Sequence, residues 1–243
     1  ADAIPAAVSA SDRPTLVLLQ AGNVNTGHSD PFAAIIDRFD PATSWIHVDG
    51  AFGLWANAVP ERRHLLDGVD RADSWATDGH KWLNTPYDCG VVVVADPTAL
   101  SASMSMNAAY AGADDGRSPM NLGLQMSQAA RAIPVWAILA TLGRTGVAAA
   151  IERCCRHAER IAIDLDAAGV EVLCPPALNQ VLAAFGDDVT TDRVIERVRA
   201  GGEAWMGGTT WHGRRAMRIS VSDTSTTADD IDRICREAAD YGF

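Results

Sequence analysis

The sequence is poor in positive charge and almost devoid of lysine. Of its 243 residues, 20 are lysine or arginine and 31 are aspartate or glutamate, which gives a net charge of -11. An acidic chain repels a phosphate backbone, so the composition argues against nucleic-acid binding. Only one of the cationic residues is a lysine, Lys81. Because arginine replaces lysine as a point charge but not as an amine that forms a Schiff base, the single lysine is a candidate for covalent chemistry.

Long apolar runs and paired cysteines are also missing. The longest apolar runs, such as residues 91–95, are far too short to cross a bilayer, and the N-terminus has no basic segment followed by an apolar one. We therefore expect neither a membrane span nor a signal peptide. The five cysteines include no Cys-x-x-Cys pair of the zinc-site type. Their odd number predicts reduced thiols and a cytoplasmic location.

The patterns of metal enzymes and serine hydrolases are absent. No two histidines have the i, i+4 spacing of a helical metal site, and neither His-Glu-x-x-His nor Gly-x-Ser-x-Gly occurs. We therefore predict no bound metal, although ligand-type residues are present at His28, His47, Asp49, His64 and His80.

Strand and helix patterns alternate in the first half of the chain. The strand patterns, of which the first reads as buried, lie at residues 15–20, 45–48, 74–77 and 90–95. A helix with one apolar face follows Asp30 and Pro31. This alternation predicts an α/β architecture with a largely parallel sheet. Residues 96–128 are rich in small and polar side chains and predict an irregular surface segment.

The pattern changes after a long helical stretch at residues 129–168, which is interrupted near Gly143 and Gly146. The order strand, helix, strand, strand, helix then predicts a small α+β domain, with segments at 181–185, 191–200 (capped by Thr191 or Asp192), 204–211, 216–221 and 227–241 (capped by Thr227). We place the domain boundary so that residues 1–130 form part of a large domain and residues 131–243 form the small C-terminal domain.

An acid at a predicted strand end precedes the single lysine. Asp49 follows the apolar segment 45–48 and should emerge at the carboxyl end of a strand, where α/β sheets bind ligands. Pyridoxal 5'-phosphate chemistry needs an amine that holds the cofactor and an acid that keeps its pyridine nitrogen protonated. Asp49 and Lys81, taken together, therefore suggest a pyridoxal phosphate site, although each alone is more often a turn residue or a solvated charge.

Neighbouring residues offer the remaining contacts. Ala51 has a small side chain, which would let a flat ring lie close. A phosphate group needs hydrogen-bond donors, and His80 and Thr77 are the nearest candidates.

Several motifs together resemble the group II pyridoxal phosphate-dependent amino acid decarboxylases, which include the aromatic amino acid and glutamate decarboxylases. The motifs are NVNTG at 23–27, HVDGAFG at 47–53, ADSW at 72–75 leading to HKW at 80–82, IPVW at 133–136 with LGRTG at 142–146, and AMRIS at 216–220. The resemblance implies the fold type I (aspartate aminotransferase-like) large domain, with a mostly parallel sheet, followed by a small α+β domain. Family members are about twice as long, and the resemblance covers their C-terminal half only.

The resemblance also implies roles for individual residues. Val24 occupies a position where many members have threonine near the cofactor's phenolic oxygen, so a polar role there would pass to Asn23 or Asn25. The other implied roles are Lys81 as the Schiff-base lysine, Asp49 as the partner of the pyridinium nitrogen, Ala51 as packing on one ring face, and His80 as a phosphate contact.

Tyr110 resembles the mobile-loop tyrosine that reprotonates the substrate carbon after carbon dioxide leaves; an ordinary surface tyrosine is the alternative. In the family this loop reaches the site of the partner subunit, so the resemblance implies a homodimer. The roles of Arg131 and Arg218 stay open. Arg218 could bind a carboxylate, but clustered surface arginines such as Arg214 and Arg215 are more often solvated or ion-paired.

The function implied by the resemblance is removal of the α-carboxylate of an L-amino acid to give an amine. Another enzyme of the same fold type, such as a lyase, desulfurase or aminotransferase, would have a similar cofactor site. An inactive truncated fragment or an interaction subunit is the non-enzymatic alternative.

Overall fold

A four-stranded sheet forms the first part of the protein in the computed structural model, which describes residues 13–105 and 118–242. In spatial order its strands are β1 (Thr15–Gln20), β2 (Ser44–Asp49), β3 (Ser74–Asp78) and β4 (Gly90–Val94). The first three are parallel, and β4 is antiparallel to β3. The carboxyl ends of β1, β2 and β3 therefore meet at one edge of the sheet, where α/β folds bind ligands.

Short helical segments connect or follow the strands of this sheet. Helix α1 (Phe32–Ile36) lies between β1 and β2, and helix α2 (Pro97–Met104) follows β4. The Asp96 side chain accepts a hydrogen bond from the backbone N–H of Thr98 and caps α2. The sequence predicted an irregular segment at residues 96–128, and this prediction was wrong for residues 97–104, which form a helix. Asp96 caps this helix and Pro97 occupies its first turn. Between β2 and β3 the chain forms 3₁₀ segments at Gly53–Ala58, Pro60–Leu66 and Val69–Arg71.

One face of the first sheet is apolar and exposed. Leu16 and Leu18 on β1 are 64% and 68% exposed, and the register places Trp45 and Val92 on the same face. The prediction that β1 is buried was therefore wrong for this face, since a continuous apolar run does not tell which elements cover it. The opposite face packs Leu19, Ile46 and Val48 into the core, where each is at most 5% exposed.

A second sheet and three helices form the rest of the described chain. The sheet is antiparallel, in the order β5 (Glu171–Val172), β6 (Gln180–Ala184), β8 (Arg214–Ser220) and β7 (Gly207–Trp211). The helices are α3 (Ala132–Ala167), α4 (Asp188–Gly201) and α5 (Ala228–Gly242). Thr227 Oγ1 accepts from the Asp230 N–H, which confirms the predicted cap of α5. Helix α4 instead begins at an Asp187 cap, and Thr191 is buried with its hydroxyl bonded to the Phe185 N–H.

Helix α3 has two parts of different character. Gly143 has a φ of 59°, which breaks the helical backbone where the sequence predicted an interruption. Before it, Ile133 and Trp136 are exposed; beyond it, Ile151 and Cys155 are buried. By length and composition alone α3 is apolar enough to cross a membrane, which the short apolar runs did not indicate. Only 6% of the apolar stretch that meets this criterion is buried. The second part of α3 packs in the protein core, where buried side chains from both sheets form one continuous cluster.

The two sheets lie on either side of the domain boundary predicted at residue 130, and the boundary itself stays a prediction. A partly buried ion-pair cluster joins the two parts. Arg62, in the 3₁₀ segment Pro60–Leu66, donates to Glu152 at 2.7 Å and to Glu159 at 2.8 Å on α3. All five cysteines are free thiols in the structure.

Candidate functional site

A cavity of about 420 Å³ opens at the carboxyl edge of the first sheet. It brings together Asp49, Ala51 and Lys81, which come from the ends of β2 and β3. It also receives side chains from the second sheet, so both parts of the fold build it. The lining residues are Gln20, Gly22, Val24, Asp49, Ala51, Phe52, Lys81, Asn179, Gln180, Arg218, Ser220 and Ser222.

Asp49 is the last residue of the central parallel strand, β2. One carboxylate oxygen, Oδ1, accepts the backbone N–H of Ala51 at 3.1 Å, which fixes the turn that follows the strand. The backbone carbonyl of Asp49 accepts from the Ala21 N–H at 2.8 Å. Within residues 13–105 and 118–238 no cationic side chain forms an ion pair with Asp49, so its exposed carboxylate remains available to a ligand.

The turns after β1 and β2 approach each other closely beside Asp49. A Cβ atom on Gly53 would lie 2.2 Å from the carbonyl oxygen of Ala21. Gly22 has a φ of +83° and would meet Phe52 and Gly53 in the same way. These two glycines allow the turns to pack against each other, which places Phe52 at the cavity wall.

Lys81 lies in the turn that follows β3. Its Nζ is 3.0 Å from Asp78 Oδ2 and 6.0 Å from the centre of the Phe52 ring, and its side chain is 40% exposed. Phe52 packs edge-on against the buried Trp82, with 5.6 Å between ring centres. The amine is therefore held at the rim of the cavity, with a carboxylate on one side and an aromatic wall nearby.

The two predicted phosphate contacts lie outside this lining. His80 Nδ1 is 2.9 Å from the Cys89 carbonyl oxygen and 3.0 Å from its backbone nitrogen, and the imidazole packs against Tyr87. Thr77 Oγ1 is 3.5 Å from the carbonyl oxygen of Ala51. Both side chains are thus engaged by protein groups, and their contact with a phosphate stays a prediction.

The loop after β1 is organised by Asn23. Its Oδ1 accepts the backbone N–H groups of Asn25 and Thr26, and its Nδ2 donates to Gln20 Oε1 at 2.9 Å. Val24, rather than Asn23, lines the cavity. The polar role predicted for Asn23 or Asn25 stays untested, and the observed contacts give Asn23 a structural role in the loop. Tyr110 lies outside the described residues.

Arg218 is the main site residue that the sequence left undecided. On β8, its Nη1 donates to Ser220 Oγ at 2.9 Å, to Val24 O at 3.2 Å and to Gln180 Oε1 at 3.3 Å. Burial lowers the pKa of the Arg218 guanidinium below its usual value. Among the described side chains no carboxylate forms an ion pair with it, which leaves a half-buried cation facing the cavity.

Its neighbours in sequence differ from it. Arg214 pairs with Glu171 at 2.7 Å and Arg215 pairs with Asp192 at 2.6 Å, as expected for surface arginines. Arg218 and Ser220 lie on the same face of β8, but the sequence pattern alone did not connect that face with the cavity. Asn179 and Gln180 were not predicted at all, since their roles depend on the pairing of β6 with β8.

Comparison with known proteins decides the family. The sequence model of the family described as the pyridoxal-dependent decarboxylase conserved domain matches residues 2–185 of this chain. The chain belongs to the pyridoxal-dependent decarboxylase family. This decarboxylase-family chain is 29% identical to tryptophan decarboxylase 1 of Oryza sativa subsp. japonica over 92% of its own length and 47% of the rice protein. It is 26% identical to the aromatic-L-amino-acid decarboxylase of Bacillus atrophaeus, over 90% of its length and 49% of that protein.

Solved structures of the family share the fold. The crystal structure of rice TDC with pyridoxal phosphate and tryptamine superposes with a TM-score of 0.84 at 23% identity, over 93% of this chain and 50% of that one. Mouse CSAD in its apo form gives a TM-score of 0.87 at 22% identity, over 97% and 53% of the two chains. The predicted fold type I architecture is thereby confirmed. The decarboxylase-family chain spans about half the length of the relatives it matches.

Proposed function

We propose that this chain is the lysine-bearing half of a pyridoxal phosphate-dependent carboxy-lyase, which removes the α-carboxylate of an L-amino acid as carbon dioxide and leaves an amine. The observation that carries the proposal is one cavity that holds Lys81, Asp49 and Arg218 in a chain of the pyridoxal-dependent decarboxylase family. The relatives named above act on aromatic amino acids, so aromatic L-amino acids are the first substrates to test.

The residues present fit the reactive part of the cofactor. The cavity volume falls within the range of about 300–1,000 Å³ that is usual for small-molecule sites. Its lining supplies one primary amine, one carboxylate without an ion-pair partner in the described chain, and the small side chain of Ala51 beside the carboxylate. When bound, pyridoxal phosphate supplies an aldehyde that condenses with amines and a pyridine ring that withdraws electrons from the substrate carbon.

The chain's own groups have distinct tasks in this proposal. Lys81 supplies the amine that attaches the cofactor, and Asp49 holds a proton on the pyridine nitrogen. Ala51 leaves room for the flat ring. Arg218 binds the carboxylate of the amino acid through its guanidinium and orients it in the cavity. Tyr110 remains the proposed proton donor to the substrate carbon.

Product analysis tests the reaction type. The protein would be incubated with pyridoxal phosphate and, in turn, with L-tryptophan, L-tyrosine, L-phenylalanine, L-histidine, L-glutamate and L-cysteine. We expect carbon dioxide and the matching amine in equal amounts for at least one of them. A keto acid without carbon dioxide would favour an aminotransferase, and sulfide from L-cysteine would favour a desulfurase.

Replacing Arg218 with glutamine should weaken binding of the amino acid but not of its amine product. Hydrogen bonds to charged groups contribute about 1.5–3 kcal/mol, so we expect the KM of the amino acid to rise about tenfold to a hundredfold. The amine lacks the carboxylate, and its inhibition constant should stay unchanged. Arg214→Gln is the matched control, because Arg214 pairs with Glu171 away from the cavity. An equal loss of amine binding would contradict the assignment.

The exposed apolar face of the first sheet favours a role for a further polypeptide. Leu16, Leu18 and Val92 are more than half exposed on that face, and the chain spans about half of its relatives. We propose that a segment equivalent to the unmatched half of the relatives covers this exposed face of the sheet. We also propose that the working enzyme is a homodimer and that it is located in the cytoplasm.

Mass measurement of the purified protein by light scattering, at several concentrations, tests the assembly. A dimer that persists on dilution supports the homodimer. A stable monomer that forms no covalent adduct with pyridoxal phosphate would favour the alternative of an inactive fragment or interaction subunit.

A further inference from the structure

Asp78 lies directly against the single lysine, yet it does not line the cavity. Its Oδ2 is 3.0 Å from Lys81 Nζ and 3.6 Å from His80 Nε2. We propose that Asp78 is a positioning residue: it docks the Lys81 amine at the rim of the cavity whenever that amine is not bonded to another molecule. The purpose of this docking rests on the function proposed above, whereas the contact itself needs no cofactor.

The backbone of Asp78 is fixed from several directions. It is the last residue of β3, and its N–H donates to the Ala51 carbonyl at 2.9 Å. Its own carbonyl accepts the Trp55 indole N–H at 3.3 Å. The Ala51 N–H is in turn bonded to Asp49, so Ala51 connects the backbone of Asp78 to the carboxylate of Asp49. Asp78 therefore presents its carboxylate to Lys81 from a rigid strand end.

The two acids around Lys81 are not equivalent. Asp49 lines the cavity without an ion-pair partner among the described residues, and Asp78 is paired with the amine outside the lining. A carboxylate at hydrogen-bond distance holds an amine through a charge-assisted hydrogen bond. The Lys81 amine must leave this contact before it can attack an electrophile, so Asp78 should slow the reaction of Lys81 with electrophiles.

The sequence allows a direct test without any cofactor. Since Lys81 is the only lysine, its acetylation by acetic anhydride can be followed on a single peptide by mass spectrometry. We expect Asp78→Asn to be acetylated about two- to fivefold faster at neutral pH, which is the range for a partly exposed ion pair. Asp78→Glu should keep the slow rate, because it keeps the charge. Asp70→Asn, an exposed acid in the segment before β3, should match the unmodified protein.

Salt distinguishes an ionic contact from a steric one. High salt screens partly exposed charges, so it should accelerate acetylation of the unmodified protein and leave the rate of Asp78→Asn unchanged. Equal rates for Asp78→Asn and the unmodified protein would overturn the proposal. Should Asp78→Asn fail to fold, a salt-independent rate in the unmodified protein would overturn it as well. Neither readout involves pyridoxal phosphate, so failure here is distinct from failure of the proposed function, which would appear as no cofactor adduct on Lys81.

Discussion

Lys81→Arg should abolish covalent attachment of pyridoxal phosphate to any side chain of this protein. The substitution removes the only lysine and keeps a positive charge that can still pair with Asp78. Guanidinium groups stay protonated and do not form Schiff bases at neutral pH. After incubation with the cofactor and reduction with borohydride, we expect peptide mass spectrometry to find the adduct on Lys81 in the unmodified protein. In Lys81→Arg the side-chain adduct should fall to background, and amine production should be lost with it.

A relocated lysine is the matched control for this experiment. In the double variant Lys81→Arg, Arg193→Lys, the only lysine lies on the exposed surface of α4, away from the cavity. If the cofactor binds at the cavity, the amine at residue 193 should form no more reduced pyridoxal phosphate adduct than any exposed surface amine. Equal labelling of residues 81 and 193 in the two proteins would show that pyridoxal phosphate reacts with any accessible lysine, and the proposed site would lose its main support.

The parts of the site that could be predicted are those that follow from a strand end. Asp49 was predictable because an apolar run and the acid after it are adjacent in sequence, and the carboxyl ends of parallel strands meet at one edge. The position of Lys81 after β3 was predictable for the same reason. Local sequence thus placed both groups at the same edge, and the cavity contains both.

Arg218 could not be decided from the sequence. Its surroundings come from β6 and from the loop after β1, and only the folded chain brings these segments together. Without that pairing, Arg218 is not distinguishable from Arg214 and Arg215, which have surface ion-pair partners. The burial of β1 could not be predicted for the same reason. Its apolar run was visible in the sequence, but whether Leu16 and Leu18 are buried depends on elements distant in sequence. The 3₁₀ segments between β2 and β3 lack a strong periodic pattern, so the sequence did not define them.

Arg62→Met should destabilise the fold more than any other single charge removal considered above. Arg62 donates to Glu152 and Glu159 and to the Ala177 carbonyl, and so connects the 3₁₀ segment Pro60–Leu66 to α3 and to the loop before β6. Its side chain is only 12% exposed. Burial acts to lower the pKa of Arg62, but the bonds to both glutamates outweigh burial and raise it, so the group stays charged.

Breaking a fully buried pair costs about 3–5 kcal/mol, and the partial exposure of the two glutamates reduces our expectation to about 2–3 kcal/mol. Urea unfolding would measure it as a lower midpoint at unchanged slope. Arg156→Met is the control, because Arg156 binds the same Glu152 from an exposed position and should contribute about 0–1 kcal/mol. Equal losses of stability from the two substitutions would show that the Arg62 contact stabilises the fold no more than an exposed ion pair does.

The pH dependence separates charge from packing at Arg62. Burial would raise the pKa of Glu152, but hydrogen bonds from Arg62 and Arg156 outweigh it and hold this pKa below its ordinary value of 4.5. A carboxyl group whose pKa is lowered by folding stabilises the fold above its unfolded pKa, and that contribution is lost as the pH falls through the folded pKa. The stability difference between the unmodified protein and Arg62→Met should therefore be full at neutral pH and shrink below about pH 4.5. A difference that persists undiminished at more acid pH would assign the effect to the packed aliphatic part of Arg62 instead of its charge.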